Sequence, residues 1–179
     1  MILGAVLAFA SIAAPDQSGW HNYMPDGSGV RFAMPGTVRG DSKPDPTGGA
    51  KVLSRYRSIV NGNEFTIVFG DVANDLQATV QKLWDLDRSG ATVKKILANT
   101  LNAANTETGG KVVFSKFGDL KGFPMLAEML QTDDGLAVNE VAAFTKRGVV
   151  VARAKTPKTE GGVKEGIKFI GSLNLSARM

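Results

Sequence analysis

Apolar and polar positions alternate with period two along most of the chain, and twice they switch to a helical period. Trp20 to Tyr23 and Val30 to Met34 form two short strand patterns, separated by Pro25-Asp26-Gly27-Ser28-Gly29, whose residue types favour a turn. Met34-Pro35-Gly36 ends the second pattern, and residues 36–50, rich in Gly, Pro, Asp, Ser and Thr, read as a surface loop. Val52 to Val60 and Glu64 to Val72 read as a hairpin around Asn61-Gly62, the preferred pair for a type I′ turn. Leu53, Arg55, Arg57 and Ile59 share one face of its first strand, while Phe65, Ile67 and Phe69 share one face of its second.

Leu76, Val80, Leu83 and Trp84 then follow i, i+4, i+7, i+8 spacing, with Asn74 or Asp75 as N-cap. Ser89-Gly90 interrupts this helix. The period resumes at Val93, Ile96, Leu97, Thr100, Leu101 and Ala104, and stops before Gly109-Gly110. Four β-rich stretches follow: Val112 to Phe117, with a polar loop from Gly118; Pro124 to Thr132; Ala137 to Thr145; and Val149 to Thr156. The runs Met125 to Leu130 and Val149 to Ala152 are apolar at both parities, the pattern of strands covered on both faces. Val163, Ile167 and Ile170 sit at helical spacing in a last segment weakened by Gly161, Gly162 and Gly166, and Leu173-Asn174-Leu175 reads as a closing strand. Hairpin-joined strands around one long helical insertion predict an α+β fold. Its mostly antiparallel sheet has about 6–8 strands, with helices on both faces as an α/β/α sandwich.

Residues 1–14, MILGAVLAFASIAA, form an uncharged apolar run. It is short of the ~20 residues that span a bilayer and matches a secretory h-region, with Ser11 and Ala13 placed for cleavage before Ala14. No Lys or Arg precedes the run, and no Cys follows it to carry a lipid. The expected organisation is a signal peptide over 1–13, a short linker over 14–19 and one domain over 20–179. The mature protein is expected in the periplasm or secreted, and not membrane-spanning once the leader is removed.

Composition narrows the chemistry. The 179 residues are 43% hydrophobic and 21% charged, enough for one sizeable core. With no Cys and one His, Cys-based zinc and iron–sulfur sites are excluded, and His-dependent catalysis has little to draw on. The net charge is +4, but the basic residues are scattered among acids and are not gathered in an aromatic-studded stripe, so no nucleic-acid partner is expected.

The residues Trp20-x-x-Tyr23 and Gly29-Val30-Arg31-Phe32-Ala33-Met34-Pro35-Gly36, with the ending Phe169-Ile170-Gly171-Ser172-Leu173-Asn174-Leu175, carry a resemblance. Together with the order of elements, they resemble the PsbP-like family of antiparallel α/β/α sandwiches and its exported bacterial members. The likeness spans nearly the whole chain after the leader. It implies an accessory or protein-binding domain, since the family includes accessory subunits of photosynthetic complexes and a small-GTPase-binding branch. It implies no shared catalytic residues.

Several motifs carry candidate chemistry. Asp85, Asp87 and Ser89, followed by Gly90, match the first half of an EF-hand loop, but position 12 is Ile96 where calcium needs Glu. The plainer reading is a helix break capped by Ser89, so no metal or other cofactor is expected. Gly109-Gly110-Lys111 lacks the first Gly of a phosphate loop, and no Gly-x-Ser-x-Gly elbow is present. Glu128 and Glu140 interrupt apolar strands. They are read as members of structural ion pairs with Arg55, Arg57, Arg153 or Lys155, or as the carboxylate pair of a glycosidase-type hydrolase. A two-residue turn at Lys146-Arg147 places Glu140 opposite Arg153, one at Arg147-Gly148 places it opposite Lys155, and a three-residue loop ending in Gly148 breaks the pairing. Trp20, His21 and Tyr23, with the adjoining loop 36–50, form the candidate binding surface, against the alternative that the rings close the core. The resulting expectation is a non-catalytic exported domain, monomeric or weakly homo-oligomeric, that binds a protein or envelope component.

Overall fold

The computed structural model describes residues 19–46, 48–106 and 108–176. The expected leader, and the expected linker apart from Gly19, lie outside the described residues. The chain runs through β1 (Trp20–Tyr23), β2 (Val30–Pro35), β3 (Arg39–Pro44), β4 (Ala50–Val60) and β5 (Asn63–Val72). After a short 3₁₀ turn come α1 (Gln77–Asp87) and α2 (Ala91–Thr106), then β6 (Gly110–Leu120), β7 (Phe123–Thr132), β8 (Leu136–Thr145) and β9 (Gly148–Pro157). Helix α3 (Glu160–Ser172) and β10 (Asn174–Leu175) close it. Seven strands form one antiparallel sheet in the order β3-β4-β5-β9-β8-β7-β6, and β1-β2-β10 form a small second sheet. The architecture is α+β, with mostly antiparallel strands.

Turn chemistry sets the register. Asn61 and Gly62 both have positive φ, as a type I′ turn demands, and Val60 pairs with Asn63 across them. Lys121 and Gly122 repeat this geometry between β6 and β7, with the Asp119 carboxylate accepting from the Gly122 N–H at 2.5 Å. Strand β6 therefore runs to Leu120, past the polar loop expected from Gly118. At Lys146-Arg147 the turn has two residues, since Thr145 pairs with Gly148.

One expectation needs correction. Residues 36–50 are not all loop, because Arg39–Pro44 is the edge strand β3, paired to β4 with all six residues exposed. An edge strand wet on both faces has no apolar alternation to reveal it. Helix α3 does not turn Ile167 inward. Ile167 is 56% exposed, while Gly162, Gly166 and Phe169 are buried. Glycine is what lets the helix come down onto the sheet: a Cβ on Gly166 would stand 2.6 Å from Asn139 Nδ2.

The pleat divides the core. Val141 and Ala143 of β8 join a cluster with Phe65, Ile67, Met34 and Phe169 of α3. Their neighbours Ala142 and Phe144 join another with Val93, Leu97 and Leu101 of α2. Successive strand residues point to opposite faces. Val30, Phe32 and Met34 of β2 have no exposed surface and roof the first cluster.

Candidate functional site

Two polar constellations interrupt this apolar frame. The first lies on the sheet beneath the end of α2. Because the β8–β9 turn is Lys146-Arg147, Glu140 faces Arg153, and the antiparallel register also sets Glu140 opposite Glu128 on β7. The Glu140 side chain has no exposed surface, and Arg153 reaches it at 2.7 Å. Arg153 also donates to the Ala104 carbonyl at 3.1 Å and to Thr108 Oγ1 at 2.9 Å, tying the end of α2 to the sheet. Asn105 Oδ1 accepts from Arg153 Nη2, while Asn105 Nδ2 donates to Glu128 at 3.1 Å. Glu128 also accepts from Ser115 Oγ at 2.9 Å, so its hydrogen bonds come from neutral groups, not from the basic partners expected for it. Lys155 pairs across the strands with Val138 and Glu64, and its ammonium lies 4.0 Å from Asp134. It is not the partner of Glu140. Arg57 instead holds Glu64, at 2.8 Å.

Burial pushes the Glu140 carboxyl up from its ordinary value, against the opposing charge and hydrogen bond of Arg153. One carboxylate oxygen, Oε1, has no hydrogen-bond partner. Cross-strand pairing continues this polar row from Arg153 through Thr66 and Arg57 to Arg39, so it crosses the whole sheet. Only its β6–β9 half lies near α2. The Glu140 carboxyl, wholly buried, is joined through Arg153 to the end of the helix.

The second constellation frames a cavity of about 420 Å³ between the β1–β2 connection and the ends of β4 and β5. Arg147 closes one side. Its Nε and Nη2 donate to the two Asp71 oxygens at 2.5 and 2.9 Å, and its Nη1 donates to the Gly27 carbonyl at 2.6 Å. This bidentate geometry fixes the guanidinium in its plane. The Arg147 hydrogen bonds hold the Asp71 carboxyl below its ordinary value. Asp26, Lys51, Tyr56 and Phe69 complete the wall, giving a mixed lining with both charge signs. Burial, and then the charge of Asp26, raise the Tyr56 phenol. Sequence reading missed this site because Arg147 and Asp71 lie 76 residues apart and meet only through the register of β5 and β9.

The other sequence candidates do not converge on it. Trp20 is 6% exposed and meets Phe65 edge-on at 5.5 Å, with the Lys168 ammonium 4.4 Å from its ring centre. The outward-facing Trp20 expected of a binding surface is thus a core residue. Tyr23 is half-buried, stacks on Phe32 and donates to the Gly36 carbonyl, and His21 is half-buried on the same strand. Asp85 and Asp87 are helical residues of α1, Asp85 accepts from Gln81, and Ile96 is already inside α2. No twelve-residue calcium loop forms there. Among the described residues no cluster of three or more metal-ligating side chains occurs, and no helix is long and apolar enough to cross a membrane.

No protein-family model matches the chain, and no curated protein does. Among solved structures the chain is similar to the cyanobacterial PsbP protein (CyanoP) of Synechocystis sp. PCC 6803, with a TM-score of 0.58 at 11% identity. That match covers 93% of this chain and 98% of the other, and shows a PsbP-like fold. A protein of unknown function from Pseudomonas aeruginosa matches at a TM-score of 0.38 and 13% identity, over 81% of this chain and 86% of that one.

Proposed function

We propose that this chain of PsbP-like fold, layered as an α/β/α sandwich, is an exported, non-catalytic accessory domain. Its working surface is the cavity framed by Asp26, Lys51, Tyr56 and Arg147. One observation carries the reading. Glu140 and Asp71 are engaged by Arg153 and Arg147, at 2.7 and 2.5 Å, in contacts that join one part of the fold to another. A general acid or base must reach the proton it moves. Glu140 is sealed beneath α2, and the Asp71 oxygens are both occupied by one guanidinium. The cavity walls in turn offer opposite charges beside the Tyr56 and Phe69 rings, a surface suited to holding a polar segment of another protein.

The test has two arms. Fractionation of the native host is expected to place the protein in the periplasm or medium with Ala14 at its N-terminus, and an intact Met1 in the cytosol overturns export. Capture from the exported fraction is expected to retain a partner that the Lys51→Glu variant loses at an unchanged melting temperature. Identical partner profiles overturn the cavity as the working surface.

A further inference from the structure

The two faces of the large sheet are covered unequally. On one, α2 lies over β6, β7 and β8. On the other, α3 lies over β8 and β9, β2 faces β4, and among the described residues no helix or further strand is seated on β6 and β7. Cross-strand register names what is left open there. Asn139 lies under Gly166 of α3, pairs with Met129 and so aligns with Phe114. Val141 and Ala143, in the cluster beneath α3, pair with Ala127 and Met125. Met125, Ala127 and Met129 are half-buried, and Phe114 is 50% exposed. Helix α3 supplies a wall beside this floor. Lys168 stands over Trp20, which meets Phe65 of β5, so the opposite flank of the helix, Val163, Ile167 and Ile170, overhangs β7. Ile167 on that flank is the residue left 56% exposed.

Dimensions and charge indicate the occupant. Neighbouring strands lie about 4.8 Å apart, so the two open strands span about 10 Å. Packed helices lie about 8–10 Å apart, so the strip beside α3 has the width of one helix. The acids of β6 and β7 belong to the other face: Glu128 pairs with Glu140 beneath α2, and Asp119 follows Ser115, the partner of Glu128, by four residues of regular strand. The open face carries lysines instead. Lys116 pairs with Ala127, Lys111 pairs with Gln131, and the Lys158 ammonium donates to Gln131 at 2.7 Å. Among the described residues none of these three is in an ion pair, while Lys164 on α3 is held by Glu160. An apolar floor flanked by uncompensated lysines is complementary to an apolar stripe flanked by carboxylates, and flexible methionines accommodate such a stripe. We propose that this strip takes one acidic amphipathic helix of a partner protein, its apolar face on Phe114, Met125, Met129 and Ile167 and its carboxylates toward Lys111, Lys116 and Lys158. The strip shares no residue with the cavity described above, and the two readings stand separately.

Two labelled helical peptides of about 18 residues test this, both with leucines at i, i+3, i+4 and i+7, one with glutamates and the other with lysines at the flanking positions. The acidic peptide is expected to bind the wild-type protein about tenfold more tightly than the basic one, and the preference to shrink as salt is added. Ile167→Ser and Lys116→Glu are each expected to weaken the acidic peptide about fivefold or more, whereas Ile59→Ser, at a site 59% exposed on the opposite face of the sheet, leaves binding unchanged. Circular dichroism melting confirms that each variant is folded. No binding, or equal binding of the two peptides, overturns the proposal, and so does an Ile59→Ser effect as large as that of Ile167→Ser. Phosphatidylglycerol vesicles that bind through Ile167 when the acidic peptide does not would assign the strip to a membrane surface. A wild-type dimer in sedimentation that Ile167→Ser disperses would assign it to a second copy. Either outcome overturns the partner helix.

Discussion

Arg153 is the pin through which the last turn of α2 is fastened to the sheet: it reaches Glu140 at 2.7 Å while donating to the Ala104 carbonyl and to Thr108. Removing one partner of a buried ion pair costs about 3–5 kcal/mol, because the other charge is left without compensation. Arg153→Ala is therefore expected to lower unfolding free energy by about that amount. Replacing both residues by apolar ones of similar size, Glu140→Leu with Arg153→Met, is expected to cost far less. Urea unfolding of the two variants decides this. A single variant as stable as the wild type shows that the pin carries nothing.

Glu140 and Asp71 set opposite slopes on the dependence of stability on pH. Burial raises Glu140 above its ordinary 4.5, so its stabilising contribution is complete below the unfolded value and is lost as pH rises through the raised one. Hydrogen bonds from Arg147 lower Asp71 below its ordinary 3.8, so its contribution is present above the unfolded value and is lost as pH falls through the lowered one. Glu140→Gln is expected to remove the decline on the upper side, and Asp71→Asn to flatten the acid limb. Denaturation midpoints across the range from about pH 3 to about pH 8 provide the check. Curves parallel to the wild type's refute both assignments.

Local signals in the sequence account for much of this fold. Asn61-Gly62 specifies its hairpin because both positions need positive φ, and the stripe Val93, Leu97, Leu101 specifies the inner face of α2. The placement of Glu140 reduced to a choice among three loop geometries, and the structure adopts the two-residue turn at Lys146-Arg147. What escaped depends on partners distant in sequence. Strand β3 is identified only by its pairing with β4, and Asn105 and Thr108 gain a role only when α2 is laid over Arg153. The cavity is assembled from the β1–β2 connection and a hairpin turn more than a hundred residues later. Neither segment carries a pattern that names the other.

Glycine spacing in α3 tests how closely the helix is seated. A methyl group on Gly166 meets the Asn139 amide nitrogen at 2.6 Å and its carbon at 3.3 Å, with the Ala154 methyl at 3.5 Å. Gly166→Ala is expected to destabilise the protein by about 1–3 kcal/mol, the range for overpacking. Gly161, in the first turn of the same helix, has open space around the corresponding position. Gly161→Ala is expected to stabilise by about 0.4–1 kcal/mol, through the lower entropy of the unfolded chain. Thermal melts of the pair share one helix and one substitution, so equal shifts exclude close seating as the cause.

Two large apolar residues on opposite sides of the surface give the last test. Trp20, read either as a binding residue or as a ring that closes the core, is 6% exposed against Phe65, whereas Ile167, on the helical stripe of α3, is 56% exposed. Truncating a buried Trp removes its transfer energy and leaves a cavity, for a loss of about 3–5 kcal/mol. Surface substitutions away from special features stay within about 0.5 kcal/mol. Trp20→Ala is accordingly expected to shift the denaturation midpoint strongly, and Ile167→Ser to leave it nearly unchanged. The contrast also bears on Lys168, whose ammonium sits over the Trp20 ring: Lys168→Gln is expected to cost about 0.5–1 kcal/mol in the wild type and nothing in Trp20→Ala. A double-mutant cycle in which the Lys168 effect persists without the ring removes the cation–π assignment, and a mild Trp20→Ala variant removes the ring from the core.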